Sequence, residues 1–348
     1  MLKQIEGSHA VAECVAKCRP NVISAYPITP QTHIVEELAS IVGRGDLDAE
    51  YVNVESEFSA ASVVLGASAA GARAYSATTS QGLLLMSEVV YCIAGMRLPI
   101  VFTVANRAIS APLSIWNDQQ DSMALRDSGW IQLHAEDNQE ATDLHVQAFK
   151  IAEETHLPVM VCMDGFILTH AFEPVDVPDQ KEVDSFLPPF QPTNIVDPRW
   201  PRGIGLFADP RFYMETRYIL HRAMEKSEKT IKEVSADFAK KFGRDSGGFI
   251  KTYKLKDADV AIVSMGSVVG TIKDLIDQLE EEGKKVGLLQ ICSYRPFPRK
   301  EIYNTLKDKM NIVVVEKSIS LGRGGILASD IRWSFPRAEK KDRNISSF

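Results

Sequence analysis

Short apolar blocks alternate with stretches of helical periodicity from residue 8 to about residue 166, an order that predicts an α/β fold with a doubly wound parallel sheet and helices on both faces. Residues 8–18 (SHAVAECVAKC) have helical spacing, with Ser8 placed to cap the first turn. Residues 21–25 read as a strand that breaks at Tyr26-Pro27-Ile28-Thr29-Pro30-Gln31-Thr32. Two prolines that close bar helix and strand alike and stiffen the loop, and the helix HIVEELASIVG opens from it at Gln31 or Thr32. Residues 51–86 carry the densest pattern. A short apolar run, read as a buried strand, ends in Glu55 and Glu57. Then come Ala60, Ala61, Gly66, Ala67, Ala69, Ala70 and Gly71, whose lack of bulk lets a helix lie very close to a sheet. A strand over residues 73–77 stops at Thr78-Thr79-Ser80-Gln81-Gly82. Residues 83–95 read as one helix, 99–105 as a buried strand with Arg107 just past its end, 140–155 as a helix, and 157–163 as a buried strand closing in Asp164-Gly165-Phe166.

Four strand ends thus carry Thr29, Glu57, Arg107 and Asp164, and open α/β sheets bind ligands at the carboxyl ends of their strands. Each has a purely structural alternative. Glu57 at a helix start is favoured by the helix dipole, Thr29 sits in a proline-stiffened turn, and Arg107 has Asp118 and Asp121 near in sequence as partners. Residues 117–121 (NDQQD) make a polar loop suited to a substrate lid or a subunit contact.

Beyond residue 171 the pattern changes. Residues 172–205 are rich in proline and lack periodicity, which predicts an extended connection wrapped over a surface. Residues 211–242 form a long, charged amphipathic helix, or a helix pair, that ends at Gly243. A smaller α/β unit follows, with strands at 259–264, 286–291 and 311–315 and helices at 269–282, 299–306 and 326–333. The tail PRAEKKDRNISSF reads as frayed. The division is then 1–171, 172–256 and 257–348. Gly322-Arg323-Gly324-Gly325 lacks the lysine and spacing of a phosphate loop; a plain glycine turn and an anion site at the following helix start are its two readings.

Composition narrows the classes. The 348 residues exceed what one compact core usually uses. A formal net charge of -7 gives no support for a nucleic-acid or anionic-membrane partner. Five cysteines, none in a CxxC, encode neither a zinc ribbon nor an iron–sulfur run, and an odd count within apolar runs fits a reducing cytoplasm. The start has no signal-peptide core and no apolar run is long enough to span a bilayer, so a soluble cytoplasmic protein is expected.

Five motifs in order resemble the α chain of 2-oxoacid:ferredoxin oxidoreductases, nearest to the pyruvate branch: AYPITPQT (25–32), VESEFSAA (54–61), SATTSQGLLLM (76–86), ANRAISAPLSIWNDQQD (105–121) and MDGF (163–166). The likeness covers nearly the whole chain. It implies a thiamine-diphosphate enzyme that oxidatively decarboxylates pyruvate with coenzyme A to acetyl-CoA and CO2, or runs the reverse, with electrons passing through iron–sulfur clusters to ferredoxin. It implies a first domain that binds the aminopyrimidine (PYR-type) and a second that is transketolase C-terminal-like. Carried over by position, Glu57 is similar to the glutamate that faces the pyrimidine N1′. Thr29 and Arg107 match residues that contact the substrate, and Pro27, Ile28 and Thr79 fall within the cofactor-binding motifs. The physics agrees: a carboxylate in an apolar, alanine-rich surround makes a strong charged hydrogen bond, and an arginine fork matches a carboxylate bidentately. Glu55 would share a strand face with Glu57, and only the motif selects between them.

The chain carries no GDG…N diphosphate–magnesium motif and no cysteine cluster. The resemblance therefore implies that thiamine diphosphate is shared with a β chain, that Mg2+ and [4Fe-4S] clusters sit on partner subunits (β, γ and δ chains), and that this chain is inactive alone. Gln31 and Leu113 stand where arginines would mark a dianionic substrate, which favours a small monocarboxylate. Two alternatives stay open: the same chemistry on a branched-chain, aryl or 2-oxoglutarate substrate, and a non-catalytic thiamine-fold scaffold. The family also continues past the last helix with a further strand, so a second domain that lacks its final strand, or borrows one, is expected.

Overall fold

The computed structural model describes residues 2–336 and 343–348. Strand β1 (Leu2–Glu6) leads into α1 (Gly7–Lys17), β2 (Val22–Ala25), α2 (Thr32–Gly43) and β3 (Glu50–Asn53). Ser8 lies inside the first turn of α1 instead of capping it; its hydroxyl donates to the Thr169 carbonyl at 2.7 Å. β3 is not the buried strand its apolar letters predict. It is the edge of its sheet, with Glu50 and Asn53 exposed. Next come α3 (Glu57–Ala69), β4 (Ala74–Thr78), α4 (Ser80–Leu85) and α5 (Ser87–Gly95). The one helix expected over 83–95 is thus two, because the helical path begins earlier, at Ser80, and breaks at Met86, a one-residue shift that apolar spacing does not register.

β5 (Val101–Asn106), α6 (Gln120–Ala124), β6 (Ile131–His134), α7 (Asn138–Thr155) and β7 (Val159–Asp164) complete this core. β5 and β7 are buried at every position, as near-continuous apolar strands covered by helices on both faces must be. β8 (Phe172–Asp176) turns back to pair antiparallel with β1, and α8 (Gln180–Phe186) starts in a capping box between Asp179 and Glu182. The proline-rich connection is therefore partly regular and clamped to its own domain. Arg73, 4% exposed, does much of the clamping: it bonds Glu153 at 2.5 and 3.0 Å, the Cys18 carbonyl at 2.6 Å and the Pro188 carbonyl at 2.8 Å. α9 (Pro210–Phe242) is a single helix of 33 residues, begun by Asp209 and stopped at Gly243, whose φ of +69° is left-handed.

The rest of the chain builds β9 (Ile250–Tyr253), β10 (Val260–Ser264), α10 (Val268–Glu281), β11 (Val286–Ile291), β12 (Ser293–Arg295), α11 (Arg299–Leu306), β13 (Asn311–Val314), β14 (Ile319–Ser320), β15 (Gly324–Gly325), α12 (Ile326–Ser334) and β16 (Asn344–Ser347). Five of these strands form a sheet in the order β16-β13-β10-β11-β9, parallel except for β9. The chain supplies the last strand itself: β16 lies beside β13. Of the tail expected to fray, residues 337–342 lie outside the described residues, and 344–347 are this strand.

The larger sheet has the order β12-β6-β7-β5-β4-β2-β3, with only β12 antiparallel. β12 follows directly on β11 of the smaller sheet, so one short segment ties the two together. The path from β2 runs outward to β3 and returns across β2 to β4. The strand order therefore reverses between β2 and β4, the place where such sheets open a crevice at their carboxyl ends. Among the described residues no helix is long and apolar enough to cross a membrane.

Candidate active site

The loops after β2, β3, β4 and β5 meet at that reversal. Ser56 caps α3 by accepting from the Ser59 amide at 3.2 Å, which sets Glu57 in the first helical turn. Glu57 is 7% exposed and lies against Gly82 of α4. A Cβ at Gly82 would stand 2.7 Å from Glu57 Oε1 and 2.7 Å from Thr78 Oγ1, so the approach requires glycine. Among the described residues no group donates a hydrogen bond to the Glu57 carboxylate. Buried carboxylates are normally hydrogen-bonded or paired; the oxygens of this one stay open to solvent, and so to a donor from outside the chain. Glu55, in contrast, is exposed and accepts from the Ser59 hydroxyl. The two glutamates are not on one strand face, because the chain has already turned into α3.

Arg107 is 6% exposed. Its Nη1 donates to the Thr29 carbonyl at 2.6 Å and its Nη2 to Gln81 Oε1 at 2.8 Å, while Nε is buried without a partner. The expected pairing with Asp118 or Asp121 is not made by the guanidinium. Only the Arg107 backbone amide reaches Asp121, at 3.0 Å. Burial moves the guanidinium pKa downward, against the opposing charges of Asp121 and Glu57. A desolvated guanidinium held by neutral oxygens keeps its charge available for an anion.

Asp121 organises this corner, and the loop reading of 117–121 hides it. Gln119 and Asp121 are fully buried. The Asp121 carboxylate accepts from the Ser80 amide at 2.9 Å, Asn106 Nδ2 at 2.7 Å, the Arg107 amide and the Ser122 amide at 2.8 Å. It thereby holds Ser80 at a φ of +46° and joins the ends of β4 and β5. Burial raises its pKa to about 6, the four donors opposing.

The other expected site residues divide. Pro27 is exposed and Ile28 half-buried, in the loop that Gln31 braces by donating to the Tyr26 carbonyl at 3.1 Å and the Ala77 carbonyl at 2.9 Å. Thr79 is buried, and its hydroxyl donates to the Ala105 carbonyl. Its neighbour Thr78 has a buried hydroxyl without a partner, beside Glu57, as do Gln81 Nε2 and Asn106 Oδ1 in the same corner.

Asp164 belongs to a second cluster, at the border with the smaller sheet. Its Oδ2 accepts from the Ser267 amide at 2.9 Å, the Ser267 hydroxyl at 2.6 Å and Lys317 Nζ at 2.9 Å; Oδ1 lies 3.3 Å from Gln119 Nε2. Burial pushes its pKa up, but Lys317 and Ser267 outweigh that and hold it below the usual carboxylate range. The start of α12 is no anion site. Glu316 fills it, accepting from the Leu327 amide at 2.7 Å and the Ala328 amide at 3.1 Å.

Residues 13–236 match the family described as pyruvate flavodoxin/ferredoxin oxidoreductase, thiamine diphosphate-binding, and residues 258–347 match pyruvate:ferredoxin oxidoreductase core domain II. These matches define a chain of the thiamine-diphosphate-binding oxidoreductase class. The chain belongs to the pyruvate flavodoxin/ferredoxin oxidoreductase family. Pyruvate synthase subunit PorA of Methanosarcina barkeri is 53% identical to it over 321 residues, 91% of this chain and 80% of the relative. Ketoisovalerate oxidoreductase subunit VorA of Pyrococcus abyssi is 43% identical over 331 residues, 95% of this chain and 84% of the relative. A solved 2-oxoglutarate:ferredoxin oxidoreductase from Magnetococcus marinus superposes with a TM-score of 0.78 at 22% identity; the match covers all of this chain and 62% of the solved one, and it bears on the fold alone.

Proposed function

We propose that this chain is the α subunit of a heteromeric, thiamine-diphosphate-dependent pyruvate:ferredoxin oxidoreductase. Such an enzyme converts pyruvate and coenzyme A to acetyl-CoA and CO2 with reduction of ferredoxin, or runs the reverse. One observation carries the reading: a buried carboxylate without a donor and a buried guanidinium without a carboxylate face one corner at the strand-order reversal. The residues fit thiamine diphosphate. Glu57 would accept from the pyrimidine N1′, and the braced loop over Pro27, Ile28 and Thr29 would line the ring. Bound there, the cofactor supplies a carbanion nucleophile for the 2-oxoacid. Glu57 would hold a proton at N1′ through a charge-assisted hydrogen bond, stronger than a neutral one. Arg107 orients the substrate carboxylate through the fork that Thr29 and Gln81 fix in place. Thr79 acts indirectly, by fastening the end of β4 to β5.

On this reading a β chain brings the diphosphate and Mg2+, and β, γ and δ partners bring the [4Fe-4S] clusters and the route to ferredoxin in the cytoplasm. The proposed division stays at residues 1–171, 172–256 and 257–348, with β9 at the end of the middle part paired into the smaller sheet. The test is co-expression with a β chain and its partners, followed by coenzyme-A-dependent ferredoxin reduction across a panel of 2-oxoacids. Pyruvate should give the highest kcat/KM, and the chain alone should give none. Turnover only on branched-chain, aryl or 2-oxoglutarate substrates would replace the substrate assignment. No dependence on Glu57 would leave a scaffold.

A further inference from the structure

The loop that carries Arg107 is held from two sides, and one of them is the smaller domain. The Gln119 amide donates to the Lys317 carbonyl at 2.8 Å, and the Ile319 amide donates to Gln120 Oε1 at 2.8 Å. Met123 of α6 packs into the smaller domain's own apolar core with Met265 and Ile291. α6 also carries Asp121, which grips the Arg107 amide. A second path runs through Asp164. Asp164 is the β7 residue paired with Asn106, the position before Arg107, and the Gly165 amide donates to the Asn106 carbonyl at 3.0 Å. A Cβ at Gly165 would come within 2.5 Å of Pro30, next to the Thr29 carbonyl that holds Arg107 Nη1. The smaller domain closes on Asp164 through Ser267 and Lys317, and Gly266 (φ +77°) lets it come that near: a Cβ there would stand 2.9 Å from Asp164 Oδ2.

Both paths end at Arg107, and the one through Asp164 includes neither Glu57 nor the helix α4 that lies against it. We infer that Asp164, gripped by Lys317 and Ser267, is a positioning residue through which the smaller domain sets the aim of the Arg107 fork, and hence the affinity for the 2-oxoacid carboxylate. The inference rests on the substrate role of Arg107 proposed above. An ion pair at the domain border serves this purpose because it has one tight geometry. Asp164 is 1% exposed on its side chain and Lys317 25%, so the pair is fixed at the carboxylate and reachable at the ammonium.

The experiment uses the assembled complex with Lys317→Met, Lys317→Arg and Ser267→Ala, and with Arg107→Lys as reference. Asp164 keeps the Ser267 amide and hydroxyl as donors when Lys317 is replaced, and the Ser267 amide and Lys317 when the Ser267 hydroxyl is removed, so neither change strips the carboxylate of every partner. Lys317→Met and Ser267→Ala should raise KM for the 2-oxoacid about tenfold, with kcat changed less than about threefold. Lys317→Arg should restore most of the affinity. Exchange of the cofactor C2 proton, read by NMR without substrate, should be unchanged in all three, because Glu57 lies off the path through Asp164. Arg107→Lys should raise KM as well. If Arg107→Lys raises KM and the Lys317 and Ser267 variants stay within twofold of the parent, the inference fails and the substrate reading survives. If Arg107→Lys leaves KM unchanged, both fall. A loss of C2 exchange in Lys317→Met equal to its loss of turnover would show only general support of the fold and would also overturn the inference.

Discussion

Replacing Glu57 by glutamine keeps the shape of the side chain and removes its charge. In this chain the carboxylate accepts nothing among the described residues, so the substitution breaks no internal hydrogen bond. It also removes a charge held at 7% exposure beside Gly82 and Thr78. The free subunit should therefore melt at the same temperature or higher, since a charge costs more to remove from water than the amide that replaces it. The complex should lose function heavily. A hydrogen bond to a charged group contributes about 1.5–3 kcal/mol, against about 0.5–1.5 kcal/mol for a neutral one. Because the bond also sets a proton's position, the loss should reach the roughly 10²–10⁴-fold range of acid–base groups. Two readouts on the reconstituted complex separate the effects: C2 proton exchange of the bound cofactor by NMR, and size-exclusion chromatography for assembly. The expected result is intact assembly with exchange slowed at least about a hundredfold. Exchange within threefold of the parent would refute the role given to Glu57.

Three further outcomes follow from the geometry. Gly82→Ala places a methyl 2.7 Å from Glu57 Oε1 and Thr78 Oγ1, and should cost about 1–3 kcal/mol in denaturant unfolding and displace Glu57 enough to remove most activity. Asp121 has a folded-state pKa of about 6, above its unfolded value, so folding takes up a proton between about pH 4 and pH 6. That contribution is present at the acid end and lost as pH rises through 6. The stability advantage of the parent over Asp121→Asn, read by thermal melts, should be larger at pH 5 than at pH 7. Arg73→Met leaves Glu153 and two carbonyls without their donor and should destabilise the subunit by about 3–5 kcal/mol in urea titration, with the site chemistry of any assembled complex unchanged.

The alternation of apolar runs and helical spacing shows the parallel order, because β5 and β7 are buried on both faces and so are written as unbroken apolar words. Arg107 is legible for the same reason, since it stands just past β5; Glu57 follows the edge strand β3 and Thr29 stands in a proline-stiffened loop, and both are legible through their motifs. Asp121 is not. Its neighbours Asn117, Asp118, Gln119 and Gln120 are all polar, and a polar run reads as solvent-facing until the amides of Ser80, Arg107 and Ser122 are seen to turn toward one carboxylate. Gln81 and Gly82 likewise carry no signal alone, since their roles depend on Arg107 and Glu57, which lie 26 and 25 positions away in the chain. β12 escapes periodicity because three residues cannot display any. Glu316 could have been suspected as the anion that meets α12, had its distance in sequence from Leu327 not hidden the cap.

That three-residue segment has a consequence for how the molecule can be taken apart. Ser293 sits opposite Leu133, so β6 has no free flank while the whole chain is present. A fragment cut before residue 257 would bare a row of unmet amides and carbonyls along β6, an invitation to pair with a second copy. The two sheets should then melt together as a single cooperative unit, and the larger one produced by itself should precipitate or exchange strands.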